Sequence, residues 1–334
     1  MLEGVIMLGE RAERVLKLIV EEYIKNAKPV GSSSICEILE CSSATIRNEM
    51  AELENLGYLE KTHISSGRIP SEKGYRYYVD NLMKPKNMTG EEMLKLQQVF
   101  HNSSLQINDA ISKSLEIISE MTNYTSVILG SASKENKLKQ VEVLPLENNR
   151  LIAIVITDKG HVEHKDLIIE ENISIDEIKK TTEIINKMLV DTPIDEVSEK
   201  LEFEIKPVIG KYVKQHEALY NAFYNVFTDF AKKNNMQFVG KTNILKQPEF
   251  DNVEKIKTLI NKFEDKSIVN SIQENEEGIH VYIGSENEFD DDVTIIKSKY
   301  NIDGEEGTIA IVGPKRMEYD KVVSLLEYIN SNLN

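Results

Sequence analysis

Apolar positions along the first eighty residues change their period after Gly57. Leu16, Ile19, Val20, Tyr23 and Ile24 recur at the spacing of one helical face, with Glu13, Lys17, Glu21 and Glu22 opposite, which predicts a helix over Glu10–Asn26. Lys28-Pro29-Val30-Gly31 ends it, and Ser32 or Ser33 can cap a short second helix through Leu39. Ser42-Ser43 offers another cap a few residues later, and Ile46, Met50, Leu53 and Leu56 give a third helix one apolar face before Gly57 stops it. Two helices joined so tightly predict a helix-turn-helix. Beyond Gly57 the period shortens toward two. Tyr58–His63 and Arg68–Pro70 predict short strands around Ile64-Ser65-Ser66-Gly67, with the glycine free to take positive φ at the tip of a wing.

The residues left outside this pattern have the chemistry of a DNA reader. With Ile46, Met50 and Leu53 turned inward, Ser43, Ala44, Thr45, Arg47 and Asn48 lie on the outer, N-terminal end of the third helix. Arg47 can pair bidentately with guanine and Asn48 with adenine, while serine hydroxyls and helix N–H groups suit phosphate. Lys61, His63, Arg68, Lys73 and Arg76 supply charge on and beside the hairpin, where a wing reaches phosphates or the minor groove. Glu49, Glu52 and Glu54 follow on the same helix as a solvated face. The competing assignment for the segment is a winged-helix module that binds protein.

Later in the chain, Lys84-Pro85-Lys86-Asn87 reads as a linker, and Thr89 with Glu92 forms a capping box for a helix near Glu91–Phe100. Ile107, Ile111, Leu115 and Ile118 mark another helix. Strands are predicted at Ser126–Leu129, Gln140–Leu146 and Leu151–Thr157, and again at Ile279–Ile283, Thr294–Tyr300 and Thr308–Val312: one antiparallel sheet split by about a hundred mostly helical residues. Within that stretch Tyr212, Tyr220, Phe223, Tyr224, Phe227 and Phe230 crowd one helical stripe. Such a stripe is ordinarily core, and a share in a subunit interface is the alternative.

Charge and composition narrow the chemistry. The 334-residue chain carries a net charge of −16, which excludes a broad cationic field. Met1–Met83 holds 10 Lys+Arg against 13 Asp+Glu, a net of −3, so DNA would have to be met by a small cationic face. No apolar run approaches the ~20 residues of a membrane span, and no basic-then-apolar leader opens the chain, so a cytoplasmic protein without membrane partners is expected. Cys36 and Cys41, the two cysteines present, make neither a disulfide framework nor a zinc pattern.

Phosphate-binding glycine loops and nucleophile elbows are missing from the sequence. In an extended strand His161 and His164 would point to opposite faces, and Asp290-Asp291-Asp292 lacks calcium-loop spacing. Gly313-Pro314-Lys315-Arg316 is better explained as a strand-to-helix turn packing Met317 and Tyr319 than as an anion site. No catalytic residue, metal or cofactor is expected, and the chain is not read as an enzyme.

The run PVGSSSICEILECSSATIRNEMAELENLGYLEKTHISSGRIPSEKGYRYYVD closely resembles the N-terminal winged helix of the bacterial heat-inducible transcription repressor HrcA family. The late stretch VYIGSENEFDDDVTIIKSKYNIDGEEGTIAIVGPKRMEYDKVVSLLEYI is similar to the end of the same family, so the resemblance spans the chain. It implies an α+β protein: a winged helix-turn-helix over residues 1–83, a linker at 84–90, and a GAF-like antiparallel-sheet domain at 91–170 and 249–334. An inserted dimerisation domain would occupy 171–248. It further implies a homodimer that binds an inverted-repeat operator in double-stranded DNA, represses heat-shock chaperone operons and depends on the chaperonin for its active form. Base and phosphate contacts would fall to Ser43, Thr45, Arg47, Asn48, Lys61, His63, Arg68 and Arg76, and the dimer interface to Tyr220, Phe223 and Phe227. The alternative is a ligand-sensing winged-helix regulator with a pocket in the GAF-like domain.

Overall fold

A computed structural model describes residues 8–61, 67–101, 107–130, 137–146, 150–158, 162–168, 174–208, 220–221, 223–228, 237–265, 268–269, 271–302 and 305–333. It divides into two compact units: residues 1–129 with 238–334, and residues 130–237.

In the first unit α1 (Glu10–Asn26), α2 (Ser32–Leu39) and α3 (Ser43–Asn55) bury Val15, Leu16, Ile19, Val20, Ile35, Ile46, Met50 and Leu53, the apolar faces read from the sequence. Ser42 caps α3 by accepting from the Thr45 N–H at 3.2 Å, and Gly57 ends it at φ +80°. The cap expected of Ser32 or Ser33 is not made: Gly31 occupies the N-cap without a side-chain bond, and both serines lie within α2.

The wing pairs β1 (Leu59–Lys61) with β2 (Arg68–Pro70), antiparallel, in the register Leu59↔Pro70 to Lys61↔Arg68. Its tip, with His63, lies outside the described residues. A Cβ at Gly67 would collide with the Val30 backbone, which pairs with Arg68 through an isolated antiparallel bridge beside the two-stranded wing. α4 (Glu72–Tyr77) runs through a π turn (Tyr78–Leu82) into an extended segment, and Thr89 and Glu92 form the predicted capping box of α5 (Gly90–Phe100).

α6 (Ile107–Thr122) leads to β3 (Thr125–Gly130), where the chain leaves this unit. It returns through β7 (Gln237–Val239), the neighbour of β3 in a five-stranded sheet ordered β7-β3-β10-β9-β8. The last three strands, β8 (Ile279–Ile283), β9 (Val293–Ile302) and β10 (Glu305–Pro314), are antiparallel. Its described residues also form α9 (Val253–Glu264) and α10 (Tyr319–Leu333). Buried side chains of the helix-turn-helix and of this sheet with α10 form one continuous apolar cluster, from Leu16 and Leu53 through Tyr75 to Ile296, Ile309 and Leu325.

The second unit corrects the single split sheet. β4 (Leu138–Pro145) and β5 (Arg150–Thr157) do not join β3; with β6 (Val162–Ile168) they form a separate antiparallel sheet in the order β4-β5-β6. Its inner face, Val141, Leu151, Ala153 and Val155, packs against α7 (Ile175–Leu189) and α8 (Ile194–Lys200). Asn186 of α7 takes the place of a neighbouring strand at β4, accepting from the Val141 N–H at 2.7 Å and donating to its carbonyl at 2.8 Å.

Tyr220, Phe223 and Phe227 are 4%, 2% and 0% exposed and belong to the apolar cluster of this unit. Tyr212 and Phe230 lie outside the described residues. Phe227→Ala should therefore destabilise the fold by about 3–5 kcal/mol, the usual cost of removing a buried phenyl ring. A thermal melt followed by circular dichroism reads the loss, and an unchanged melt would return the ring to a surface role.

Candidate nucleic-acid interface

The N-terminal end of α3 carries the predicted contact residues on its outer side: Arg47 and Asn48 are exposed, and Ser43 and Thr45 half-buried. Four hydroxyls around it are already engaged. Thr45 Oγ1 lies 2.9 Å from the capping Ser42 Oγ, Ser43 Oγ lies 2.9 Å from Ser32 Oγ, and Ser32 Oγ accepts from Arg47 Nε at 3.3 Å. Ser32 was missed as a contact of this face because its partners lie 11 and 15 residues away, on the next helix.

The acidic residues of α3 are not simply solvated. Arg11 of α1 lies 3.4 Å from Glu49, and Arg68 of the wing grips Glu54 with Nε at 2.7 Å and Nη2 at 2.6 Å. These pairs offset negative charge that would otherwise face a phosphate backbone, and the second also ties β2 to α3. Arg68 is therefore a strut of the wing before it is a phosphate contact. Lys73 is similarly employed: its ammonium donates to the Leu56 carbonyl at 2.9 Å, at the end of α3, and lies 4.5 Å from the centre of the Tyr58 ring. Lys61 remains exposed on β1.

Arg76 is engaged within the protein. Its guanidinium turns away from the wing, donating to both carboxylate oxygens of Glu286, to the Val281 carbonyl of β8, and to Asp80 at 3.2 Å. Beside it Glu72 accepts from Ser285 Oγ at 2.7 Å and from Lys315 Nζ at 3.0 Å. On the other side Arg316 donates to the Ile24 carbonyl near the end of α1 at 3.0 Å and to Glu249 at 2.6 Å. The turn Gly313–Arg316 thus holds the winged helix to the carboxy-terminal sheet, as a packing turn rather than an anion site. Asp290 and Asp292 pair with Lys262 at 2.7 Å and Lys255 at 2.6 Å.

Among the described residues, no group of three or more His, Cys, Asp or Glu is placed to hold a metal ion, and no helix is long and apolar enough to cross a membrane.

Residues 7–80 match the family model of the winged helix-turn-helix transcription repressor, HrcA DNA-binding, and residues 108–323 match that of the HrcA protein C terminal domain. The chain belongs to the HrcA family. Two relatives bear the name heat-inducible transcription repressor HrcA. That of Bacillus pumilus (strain SAFR-032) is 40% identical over 334 residues, covering 98% of this chain and 97% of its own. That of Lysinibacillus sphaericus is 38% identical over 333 residues, with the same coverage. A crystal structure of a hypothetical protein at 2.2 Å resolution superposes over 98% of both chains with a TM-score of 0.66 and 26% identity.

Two outcomes follow for the contacts behind α4. Arg76→Ala should leave the salt dependence of DNA binding unchanged and cost about 2 kcal/mol of stability, because it removes charge-assisted bonds to the sheet and no phosphate contact. A salt slope lowered by about one would return Arg76 to the DNA. Burial pushes the Glu72 carboxyl up, but the bonds from Ser285 and Lys315 and the Lys315 charge outweigh it, leaving the group below its ordinary value of 4.5. With the folded value depressed, its stabilisation is full above the unfolded value and is lost as pH falls through the folded one. The gap in melting temperature between wild type and Glu72→Gln should therefore close as pH drops below about 4.5.

Proposed function

We propose that this HrcA-family chain is a DNA-binding repressor of heat-shock chaperone operons that engages an inverted-repeat operator as a homodimer. Heat inactivates it, in this reading, because its active form depends on the chaperonin for folding. One observation carries the DNA-binding reading: Arg47 and Asn48 stand exposed on the free N-terminal end of a capped α3, with the wing fixed beside it. That pair suits guanine and adenine edges in a major groove. The names of the relatives from Bacillus pumilus and Lysinibacillus sphaericus support the repressor assignment.

A homodimer is favoured because one winged helix reads too few base pairs for an inverted repeat. With Tyr220, Phe223 and Phe227 buried, we assign the contact to apolar side chains that residues 130–237 leave exposed, among them Ile168 at 75% and Phe203 at 70%. Chaperonin dependence has a topological basis. β3 ends at Gly130 and its neighbours β7 and β10 begin at Gln237 and Glu305, so the sheet must close long loops before it pairs.

The test compares an inverted-repeat duplex, selected by the full chain from a random pool, with a scrambled duplex in mobility shifts over a salt series. Arg47→Ala and Asn48→Ala should each cost about 1–3 kcal/mol on the selected duplex and little on the scrambled one. Equal losses on both would remove them from base readout. Lys61→Ala should weaken both and lower the salt slope by about one. For the folding step, refolded chain should regain operator binding poorly alone and much better with chaperonin. Rapid, complete recovery unaided, with release only on adding a metabolite, would instead make it a ligand-sensing regulator.

A further inference from the structure

We infer that Ser32 is a positioning residue for base readout: its hydroxyl holds the Arg47 side chain by Nε and so selects Nη1 and Nη2 as the donor pair presented to the DNA. The inference rests on the proposal that Arg47 reads a base edge, and it specifies how that edge is met.

Ser32 opens α2 yet takes no part in capping it, since Gly31 is the N-cap and carries no side-chain bond, and the nearby Ser34 hydroxyl donates to the Gly31 carbonyl at 2.7 Å. Its hydroxyl points across the turn to α3 instead, where it accepts from Arg47 Nε at 3.3 Å and lies 2.9 Å from Ser43 Oγ. A guanidinium is a rigid planar fork, so a bond at Nε fixes the plane of the whole group and not only one atom. It also occupies the edge formed by Nε and Nη2, which is one of the two ways an arginine can span O6 and N7 of guanine. The end-on pair, Nη1 and Nη2, is left for the groove.

The same hydroxyl has one hydrogen of its own. Donated to Ser43 Oγ, it leaves the Ser43 hydrogen free to turn outward to a phosphate oxygen. Arg47, Ser32 and Ser43 then form one chain of hydrogen bonds, with a guanidinium fork at one end and a hydroxyl donor at the other. An exposed arginine otherwise samples many rotamers and must lose that freedom on binding, so a serine that restricts it in the free protein improves affinity without touching DNA.

The decisive measurement is a double-mutant cycle on the full chain with the selected and scrambled duplexes: wild type, Ser32→Ala, Arg47→Ala and both together, with Ser32→Thr as the hydroxyl-retaining control. Ser32→Ala is expected to weaken binding to the selected duplex about five- to tenfold, to leave the scrambled duplex unaffected, and to add nothing when Arg47 is already alanine. Ser32→Thr should stay within about twofold of wild type. If Arg47→Ala loses operator preference while Ser32→Ala keeps it, the positioning role is wrong and base readout by Arg47 stands. An equal loss from Ser32→Ala in both backgrounds, or on both duplexes, also overturns it, since Ser32 would then act on DNA or on the fold directly. If Arg47→Ala itself leaves the preference intact, base readout by Arg47 fails first and the role of Ser32 falls with it.

Discussion

The scarcity of free positive charge governs how this chain can meet DNA. A winged helix with a net charge of −3 in a chain of −16 has no field to draw phosphates toward it from a distance. Its contact face must therefore be made by neutralising local acids and leaving a few cations unspent. Arg11 and Arg68 cover Glu49 and Glu54 of α3, and Lys73 braces the helix end, while Arg47 and Lys61 stay exposed. An arginine spent on a neighbouring carboxylate adds little surface stability, but it removes a like charge from the path of the phosphate backbone. With so little sequence-independent attraction available, base-edge and hydroxyl contacts have to supply more of the affinity, which raises the value of holding each donor in place.

The same economy explains the back of the winged helix. Arg76, Glu72, Lys315 and Arg316 form polar bridges between α1, α4 and the carboxy-terminal sheet, over an apolar cluster that the two parts share. Charges that look in the sequence like candidates for DNA are here partners for carboxylates and carbonyls. Gly74 passes against the Tyr58 carbonyl where any side chain would collide, so α4, the wing and α3 keep one fixed relation. The reading head and the sheet are consequently parts of one folded unit.

What could be read from the sequence follows the distance over which each interaction acts. The helices of the winged helix, the Ser42 cap, the Gly57 stop and the Thr89–Glu92 box were legible because each is settled within a few residues. The apolar run Leu151–Thr157 is equally legible as a strand, yet it does not say which sheet the strand joins, and β4 and β5 pair with β6 rather than with β3. Arg76 shows the limit more sharply: its charge is plain, but Glu286 lies 210 residues away and nothing local announces the pair. Gly67 reads in the sequence as a tip glycine with freedom of φ, whereas the demand visible in the structure is the close approach of the Val30 backbone, which lies far from it along the chain. Ser32 belongs with Arg76, a polar residue whose local role as a cap was plausible and whose actual partner sits on another helix.

The shared core bears directly on heat inactivation under the proposed function. Leu16, Leu53 and Tyr75 of the winged helix lie in the same buried cluster as Ile296, Ile309 and Leu325, so the helix-turn-helix does not own a separate interior. A sheet that has not closed around β3, β7 and β10 leaves part of that cluster in water and removes the surface on which Arg76 and Glu72 dock. The winged helix would then lose stability together with the sheet, even though most of its own contacts are local and quickly formed. Under the proposed function, long-range strand pairing would thereby limit the activity of a winged helix whose own contacts are local. A separate, self-sufficient winged helix would keep binding DNA whatever became of the sheet, and a repressor built that way could not report on folding at all.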